Sequence, residues 1–583
     1  MNKEALLKRK WVAVDTETYG NIKKVSVYDS TIRCAYISYW DSDGNGDVFS
    51  INDMPKVEHF LTTYYHNADV VKLFWNAPFD IPVLQKEGFK PQGTVLDGLL
   101  IAQIAHRGEI QFGLKHFAKK FLGDLYTEEA QLLKYIRRHK CDYGSVPLDT
   151  IYPYAIKDAR CTLDLVTLMV LNLPDRLWPT LVLEHKILPV ALGMMQRGIT
   201  VDGVEAERQT IIAQNNLRKL KTKILKNLGS PKLNINSSKQ LLKVLWPEEN
   251  YVRYSKKTGN PSADNLALLL DGRPVARAIQ VYRRYSKAVS TYYNTLLGVP
   301  EDNYLHCNLG QSKAITGRWS ASKPNLQNQP RPGDNPLGNI RACYTACSDD
   351  YILGAIDFSQ IEIRLLACLA NEPHMIATIL AGGDVHTNTC KLLFDKNPDD
   401  EDFTLYRYLA KRLNFAVVYG TGADKFVNTT LQDTDGKVRL EVHQAREYID
   451  TWWEAHPNVL AYKHSLLSEV SNTGGITTYG GRFIPVDSYK DHAILNYKVQ
   501  GSAAVVLKKS MLRVNKLLKR EFPETFMLLP VHDELLFDVY KRTMHQCLPR
   551  IKEVMEDRTT FAVPITCSVK IGPNWGAVKD YVG

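Results

Sequence analysis

Three apolar runs in this chain end in acid, and that pattern constrains the fold more than any other feature. "WVAVDTETY" (11–19) and "YILGAIDF" (351–358) read as buried strands, and "MLLPVHDELLFDV" (527–539) reads as a hairpin with His532, Asp533 and Glu534 at or near its turn. Alternate residues of a strand face the same way, so Asp15 and Glu17 project together, about 7 Å apart along the backbone. Two negative side chains on one face repel each other unless something positive sits between them. Hard divalent cations such as Mg²⁺ prefer carboxylate oxygens and supply that charge. A lone strand-end acid usually turns to solvent, so carboxylates arriving from elsewhere in the chain decide the matter.

At 583 residues the chain exceeds one core and should divide into two to four domains. Lys and Arg outnumber Asp and Glu by ten, with a pI near 8.8, which suits a polyanionic partner such as nucleic acid. The ten Cys form no C-x-x-C pair and read as reduced thiols of an intracellular protein. "MNKEALLKRKW" carries no apolar signal core, and no apolar run approaches the ~20 residues of a membrane span. Secreted, disulfide-framed and membrane classes are therefore set aside, as are short-period repeat folds.

Two further stretches supply carboxylates. "FWNAPFDIPVL" (74–84) follows an apolar strand and carries Asn76 and Asp80. "YPYAIKDARCTLDLVTLMVL" (152–171) reads as a helix with Tyr154 and Asp158 four apart on one face. The D-x-E, N-x-x-F-D and Y-x-x-x-D series, over roughly residues 8–170, resembles the three motifs of proofreading 3′→5′ exonucleases with a ribonuclease H-like fold. Phosphodiester hydrolysis needs an in-line hydroxide and a stabilised leaving oxygen, which two metals about 4 Å apart provide. The resemblance implies that Asp15, Glu17, Asp80 and Asp158 hold the metals and that Tyr154 orients the attacking water.

The pattern then changes. Pro-punctuated helix at 171–202 suggests a connector, and "ERQTIIAQNNLRKLKTKILKNLG" (207–229) reads as an amphipathic helix with Ile211, Ile212, Leu217, Leu220, Ile224 and Leu228 inward. Asn236 or Ser237 is the expected cap of the next helix. Arg283, Arg284 and Lys287 lie among Tyr residues in "YRRYSKAVSTYYNTL" (282–296), a mixture suited to a phosphate backbone. This span looks like the thumb of a family A DNA polymerase, with its S-x-x-Q-L and K-x-x-S-T-Y signatures. It has no room for a large inserted processivity domain.

The remaining motifs carry the same resemblance. "TGRWSASKPNLQNQPRP" (316–332) matches the family's T-G-R loop, which implies that Arg318, Asn325, Gln327, Asn328 and Arg331 contact the primer–template minor groove. Purine N3 and pyrimidine O2 acceptors occur there in every correct pair, so donors can check geometry without reading sequence. The runs ending in Asp357 and Asp533 match motifs A and C, which makes these two residues the implied metal pair for nucleotidyl transfer, with Glu534 and His532 beside them. Glu362 matches the side chain that closes the space beside the sugar 2′ carbon, and Gln360 joins it in the nucleotide pocket.

Arg407, Lys411, Phe415 and Tyr419 recur every fourth residue in "YRYLAKRLNFAVVYGTGADKF" (406–426) and form one helical stripe. The order, cations first and aromatics after, resembles the family's fingers helix, with triphosphate near its start and sugar and base beyond. Phe415 in place of Tyr resembles members that discriminate against dideoxynucleotides. His386 is expected near the phosphates, and Asn496 and Gln500 near template and primer. His492 departs from the Arg of many relatives, which makes a permanent charge pH-dependent or absent.

The resemblance to the bacterial polymerase I and phage replicative group spans nearly the whole chain. It implies a multidomain α/β and α+β protein, with a ribonuclease H-like exonuclease at 1–175 followed by a right-hand polymerase. Within the hand, the connector and thumb fall at 176–300, the palm at 301–371 and 486–583, and the fingers at 372–485. Two Mg²⁺ per site (Mn²⁺ as substitute), primer–template DNA, dNTPs and a single-stranded 3′ end are the implied cofactors and partners, for a monomer. The chain opens directly on the exonuclease-like segment, which leads us to expect a phage-type replicative enzyme without a 5′ nuclease domain. The enzymatic rival is a single-subunit RNA polymerase, which Glu362 and the exonuclease motifs argue against. A noncatalytic DNA-binding descendant would require a broken ligand set, and none is visible.

Overall fold

The computed structural model describes residues 2–20, 26–123, 130–247, 250–255, 258–299, 302–331 and 339–582. Trp11–Tyr19 is a strand whose residues Trp11 to Val14 are all buried, because both faces of the sheet are covered: Val12 and Val14 pack into one apolar cluster and Trp11 and Ala13 into another. It pairs antiparallel with Arg33–Asp41, which pairs with Gly46–Ser50, and parallel with Val71–Phe74, which pairs with Val95–Asp97. The resulting sheet runs 3-2-1-4-5 in chain order, with the acid-bearing strand at its centre. The register slips between Glu17 and Thr18, the kind of bulge that re-aims side chains beside a site. The helix Leu148–Leu171 lies across the first three strands and brings Asp158 to their ends.

A connector helix, Trp178–Arg197, follows, and Gly198 (φ +69°) ends it. Glu184 on this helix is fully buried and meets Arg482 and Lys508, with 2.6 Å to the Lys508 Nζ. One carboxylate thus ties together segments about 300 residues apart in sequence. Removing Glu184 would leave the two buried cations uncompensated, at a cost of about 3–5 kcal/mol.

Helices Gly203–Asn227, Ser238–Leu245, Asn265–Asp271 and Pro274–Ala288 form a unit with its own small core of Ile224, Leu241, Leu245, Leu268 and Ile279. Ser237 caps the second of these helices. Ile211 and Ile212 are 51% and 40% exposed, so the inward face expected there is wrong: Gln209, Thr210 and Ala213 are buried instead.

A second five-stranded sheet, wholly antiparallel, has the order Phe526–Val531, Glu534–Tyr540, Tyr351–Phe358, Cys567–Gly572, Lys579–Asp580. The helix Ile494–Glu521, about 42 Å long by its 28 residues, packs beside it with most of its middle buried. Between the parts of this sheet, residues 361–486 contribute a separate core around fully buried Trp452. Among the described residues no helix is long and apolar enough to cross a membrane, and all ten Cys are unpaired.

Candidate active sites

Two groups of acids assemble, one on each large sheet. In the first, Asp15 and Glu17 come from the central strand, Asp80 from the helix Ala77–Lys86 and Asp158 from the helix Leu148–Leu171. Thr16 locks Asp80 in place: its N–H and Oγ1 both donate to Asp80 Oδ1, at 3.0 and 2.8 Å. Burial and then the Asp158 charge push the Asp15 carboxyl up to about 7. Burial, with Asp15, Asp158 and Asp80 behind it, pushes Glu17 well above the carboxylate range. Burial and then Asp15 do the same to Asp80. The four carboxylates feel one another's charge, which is the condition a divalent cation relieves.

Sequence reading missed three parts of this group. Lys115, on the helix Leu114–Leu122, is ion-paired with Asp158 and lies 4.9 Å from the centre of the Tyr154 ring. Asp97 accepts the Asn76 N–H at 2.9 Å and the Leu99 N–H at 3.0 Å, which holds Asn76 at φ +83° where the Asp80 helix begins. His185 of the connector accepts the Asp97 N–H at 3.0 Å. The basic amphipathic pattern of "GLKHFAKKF" (113–121) is a local signal that could point to Lys115; Asp97 and His185 have none.

In the second group, Asp357 is the penultimate residue of the strand Tyr351–Phe358 and stands opposite Glu534, while the Phe358 N–H donates to the Asp533 carbonyl at 3.3 Å. His532 takes φ +59° in the two-residue turn, so the hairpin reverses directly at Asp533. Burial, then the Asp533 and Glu534 charges, push Asp357 up to about 7, and its buried Oδ1 has no hydrogen-bond partner among the described residues. Glu534 accepts from Trp575 Nε1 at 3.3 Å. An orphaned buried carboxylate oxygen beside two more acids fits a divalent cation. Among the described residues no three His, Cys, Asp or Glu side chains close into a cage, so such a cation would keep water or phosphate oxygens as ligands, as Mg²⁺ does.

Around this group stand the nucleotide-pocket candidates. Glu362 is buried, ion-paired with Arg318 through Oε1, and accepts the Tyr419 hydroxyl on Oε2 at 3.0 Å. Its neighbour Arg364 bonds the Ser359 and Pro564 carbonyls instead, so no surface pair forms within the helix Ile361–Leu369. Arg318, Phe358, Ile361, Ala504, His532 and Asp533 line a small cleft.

The helix Phe403–Val418 carries Arg407, Lys411 and Phe415, with Tyr419 at its end. Arg407 Nε reaches Asp384 at 2.8 Å, Gln360 Nε2 reaches the same carboxylate at 2.9 Å, and Lys411 is exposed. Although burial opposes it, hydrogen bonds from Gln360, Thr387 and Arg407 hold Asp384 well below the carboxylate range. His386 is buried, bonded to Asn414 at 2.9 Å and pushed down to about 4 by burial, so it stands neutral with Nε2 unpartnered among the described residues. The Phe415 ring lies 5.8 Å from His386 and 5.9 Å from Tyr419.

The remaining candidates divide. Gln327 Nε2 donates to the Pro530 carbonyl at 3.0 Å, which ties the 325–331 loop to the motif C hairpin. Asn325 caps the short turn at 326–328, Asn328 and Arg331 are exposed, and the Arg331 charge acts on Asp357. Gln500 hydrogen-bonds Tyr419, and the buried Asn496 Oδ1 has no partner among the described residues. Lys287 is exposed, but Arg283 is not free for a phosphate. It donates to the Ala263 and Ile235 carbonyls at 2.6 and 3.2 Å, so its placement on a DNA-facing surface is corrected to an internal tie.

With the geometry in hand, the sequence profile of DNA polymerase family A matches residues 204–577. The chain belongs to that family. Residues 2–174 match the 3′-5′ exonuclease family. Among family relatives, DNA polymerase I of Helicobacter pylori is 30% identical over 408 residues, covering 68% of this chain and 44% of that protein. DNA polymerase I of Bacillus subtilis is 29% identical over 552 residues, covering 92% and 61%. The chain thus spans about half the length of the curated relatives it matches. The POL domain of Pol1 from M. smegmatis, solved with DNA primer-template and dNTP, superposes with a TM-score of 0.81 at 23% identity, over 99% of this chain and 97% of that one. The multidomain α/β and α+β fold expected from the sequence is therefore the family's fold.

The acid clusters predict a pH signature. Asp15 and Asp357 bind protons more tightly folded than unfolded, with values near 7 against the usual 3.8. The cation-free folded chain holds protons that the unfolded chain has lost between those values, so its stability falls as pH rises through that window. A divalent cation binds the ionised form. Saturating Mg²⁺ should raise the thermal midpoint clearly at pH 8 and little at pH 5; equal gains at both would contradict this electrostatic account.

Proposed function

We propose that this chain is a template-directed, DNA-dependent DNA polymerase that adds dNTPs to a primer 3′ end and edits with a 3′→5′ exonuclease. The observation that carries the reading is Asp357 beside Asp533 and Glu534, with Glu362 clasped by Arg318 and Tyr419 close by, while a second, separate acid group gathers around Asp15. The proposed division is 1–175 for the exonuclease, 176–300 for connector and thumb, 301–371 and 486–583 for the palm, and 372–485 for the fingers.

In the polymerase site Asp357 and Asp533 would hold divalent cations, with Glu534 at the edge; when bound, these neutralise triphosphate charge and favour the ionised primer hydroxyl. The residues of the chain do the rest. Arg407 and Lys411 take the phosphates, with Gln360 and Asp384 holding Arg407 in place. Neutral His386 offers a hydrogen bond rather than a charge. Phe415 and Tyr419 meet sugar and base. Glu362 cannot swing aside while both oxygens are engaged, so it walls off the position a ribose 2′ hydroxyl would need. Arg318, Asn325, Asn328, Arg331, Asn496, Gln500 and His532 face primer and template, and Gln327 holds their loop against the motif C hairpin.

In the editing site Asp15, Glu17, Asp80 and Asp158 would hold the cations, Tyr154 would orient the attacking water, and Lys115 would offset part of the carboxylate repulsion. Mg²⁺ is the proposed ion. The proposed partners are primer–template DNA, dNTPs and a frayed single-stranded 3′ end.

Separate substitutions test the two sites. Asp533→Asn should abolish Mg²⁺-dependent primer extension and leave 3′ trimming of a single-stranded oligonucleotide intact, whereas Asp15→Ala should do the reverse. Loss of both activities in either variant, or of neither, would refute the division. Glu362→Ala should raise ribonucleotide incorporation by about 100-fold, the order that a well-placed steric or polar check supplies. Unchanged ribonucleotide discrimination would remove the gate role.

A further inference from the structure

The segment Gln311–Gly317, which leads directly into Arg318, is held from behind by cations of three distant regions. Lys508 Nζ donates to the Gln311 carbonyl at 2.7 Å, and Arg482 Nη1 donates to Ser312 Oγ at 3.2 Å. The third cation is Arg107, which lies within the stretch that matches the 3′-5′ exonuclease family. Its Nη1 donates to the Ala314 and Ile315 carbonyls at 3.2 and 3.1 Å, and its Nη2 donates to Ser312 Oγ at 2.9 Å. Gly317 has φ +76°, and a Cβ there would run into the Arg482 guanidinium. The segment therefore has little freedom while its cations stay in place.

What the segment presents is the clasp described above: Arg318 on Glu362, and Glu362 under Tyr419. Arg107 is the one member of this arrangement contributed by residues 2–174, and its contacts are to two half-buried backbone carbonyls, which accept two hydrogen bonds each, and to the Ser312 hydroxyl. Its planar fork reaches two carbonyls and a hydroxyl at once, which a Lys ammonium cannot reproduce in the same geometry. Its bonds go to the 312–315 segment and none to the acids around Asp15.

We propose that Arg107 is a positioning residue for the polymerase site: from the exonuclease side it fixes the 312–315 backbone so that Arg318 meets Glu362. The editing unit is then a structural part of the nucleotide-selecting pocket as well as a second active site. This rests on the polymerase reading above.

The test compares the full chain with Arg107→Ala, Arg107→Lys, Glu362→Ala and the Arg107→Ala/Glu362→Ala pair. Primer extension is measured with dNTPs and with ribonucleotides, and trimming of a single-stranded oligonucleotide reports whether each variant is folded. Arg107→Ala should raise the dNTP KM by roughly 10- to 100-fold with a smaller change in kcat, the scale expected of a misplaced binding group. It should relax ribonucleotide discrimination, leave trimming unchanged, and be partly restored by Lys. The double variant should discriminate no worse than Glu362→Ala alone, because both act through one clasp. Unaltered KM and discrimination in Arg107→Ala, additive losses in the pair, or a parallel loss of trimming in both the Ala and Lys variants would each overturn the inference. Failure of the unaltered chain to extend a primer at all would instead overturn the polymerase reading itself.

Discussion

Like charges buried together govern this structure. Around Asp15 and around Asp357, acids that would repel one another in water are drawn into places where repulsion is stronger still, because the surrounding protein screens it less. No fold gathers acids this way for stability's sake. Each group is anchored on a strand in the middle of a sheet, where the backbone is already fixed by its ladder, and helices bring Asp80 and Asp158 to the first group while a hairpin turn brings Asp533 to the second. The cores around the two sheets, and the helices laid over them, supply the rigidity that keeps the acids close enough to feel one another's charge.

Cations of the chain itself then adjust the two groups differently. Lys115 enters the first and pairs with Asp158, whereas in the second Arg318 is drawn off to Glu362 and Asp357 keeps an oxygen without a partner among the described residues. Buried Glu184 of the connector helix, with Arg482 and Lys508, anchors that helix to segments about 300 residues later in the chain. The chain thus uses ionic contacts where long-range register matters and apolar packing elsewhere.

Much of this was legible in the sequence wherever a local rule sufficed. The acid-ended strands, the Ser237 cap and the fourfold stripe from Arg407 to Tyr419 all follow from periodicity and neighbouring residues. What could not be read depended on partners far away in sequence. Lys115, Asp97 and Arg107 look like ordinary surface or loop residues until the fold brings Asp158, Asn76 and Ala314 to them. Arg283 looked like a phosphate contact because its neighbours are basic, but carbonyls of its own helical unit claim it. Ile211 and Ile212 looked like core because they are apolar, yet their helix has a partner on only one side there, and the buried stripe is shifted toward Ala206, Gln209, Thr210 and Ala213.

The central claim, that the acids come together to share cations at two separate places, is tested most directly by anomalous diffraction from crystals soaked in Mn²⁺. The account predicts peaks in two locations, one against Asp357 and Asp533 and the other against Asp15, Glu17, Asp80 and Asp158. Mn²⁺ scattered over surface carboxylates, with neither group occupied, would contradict it.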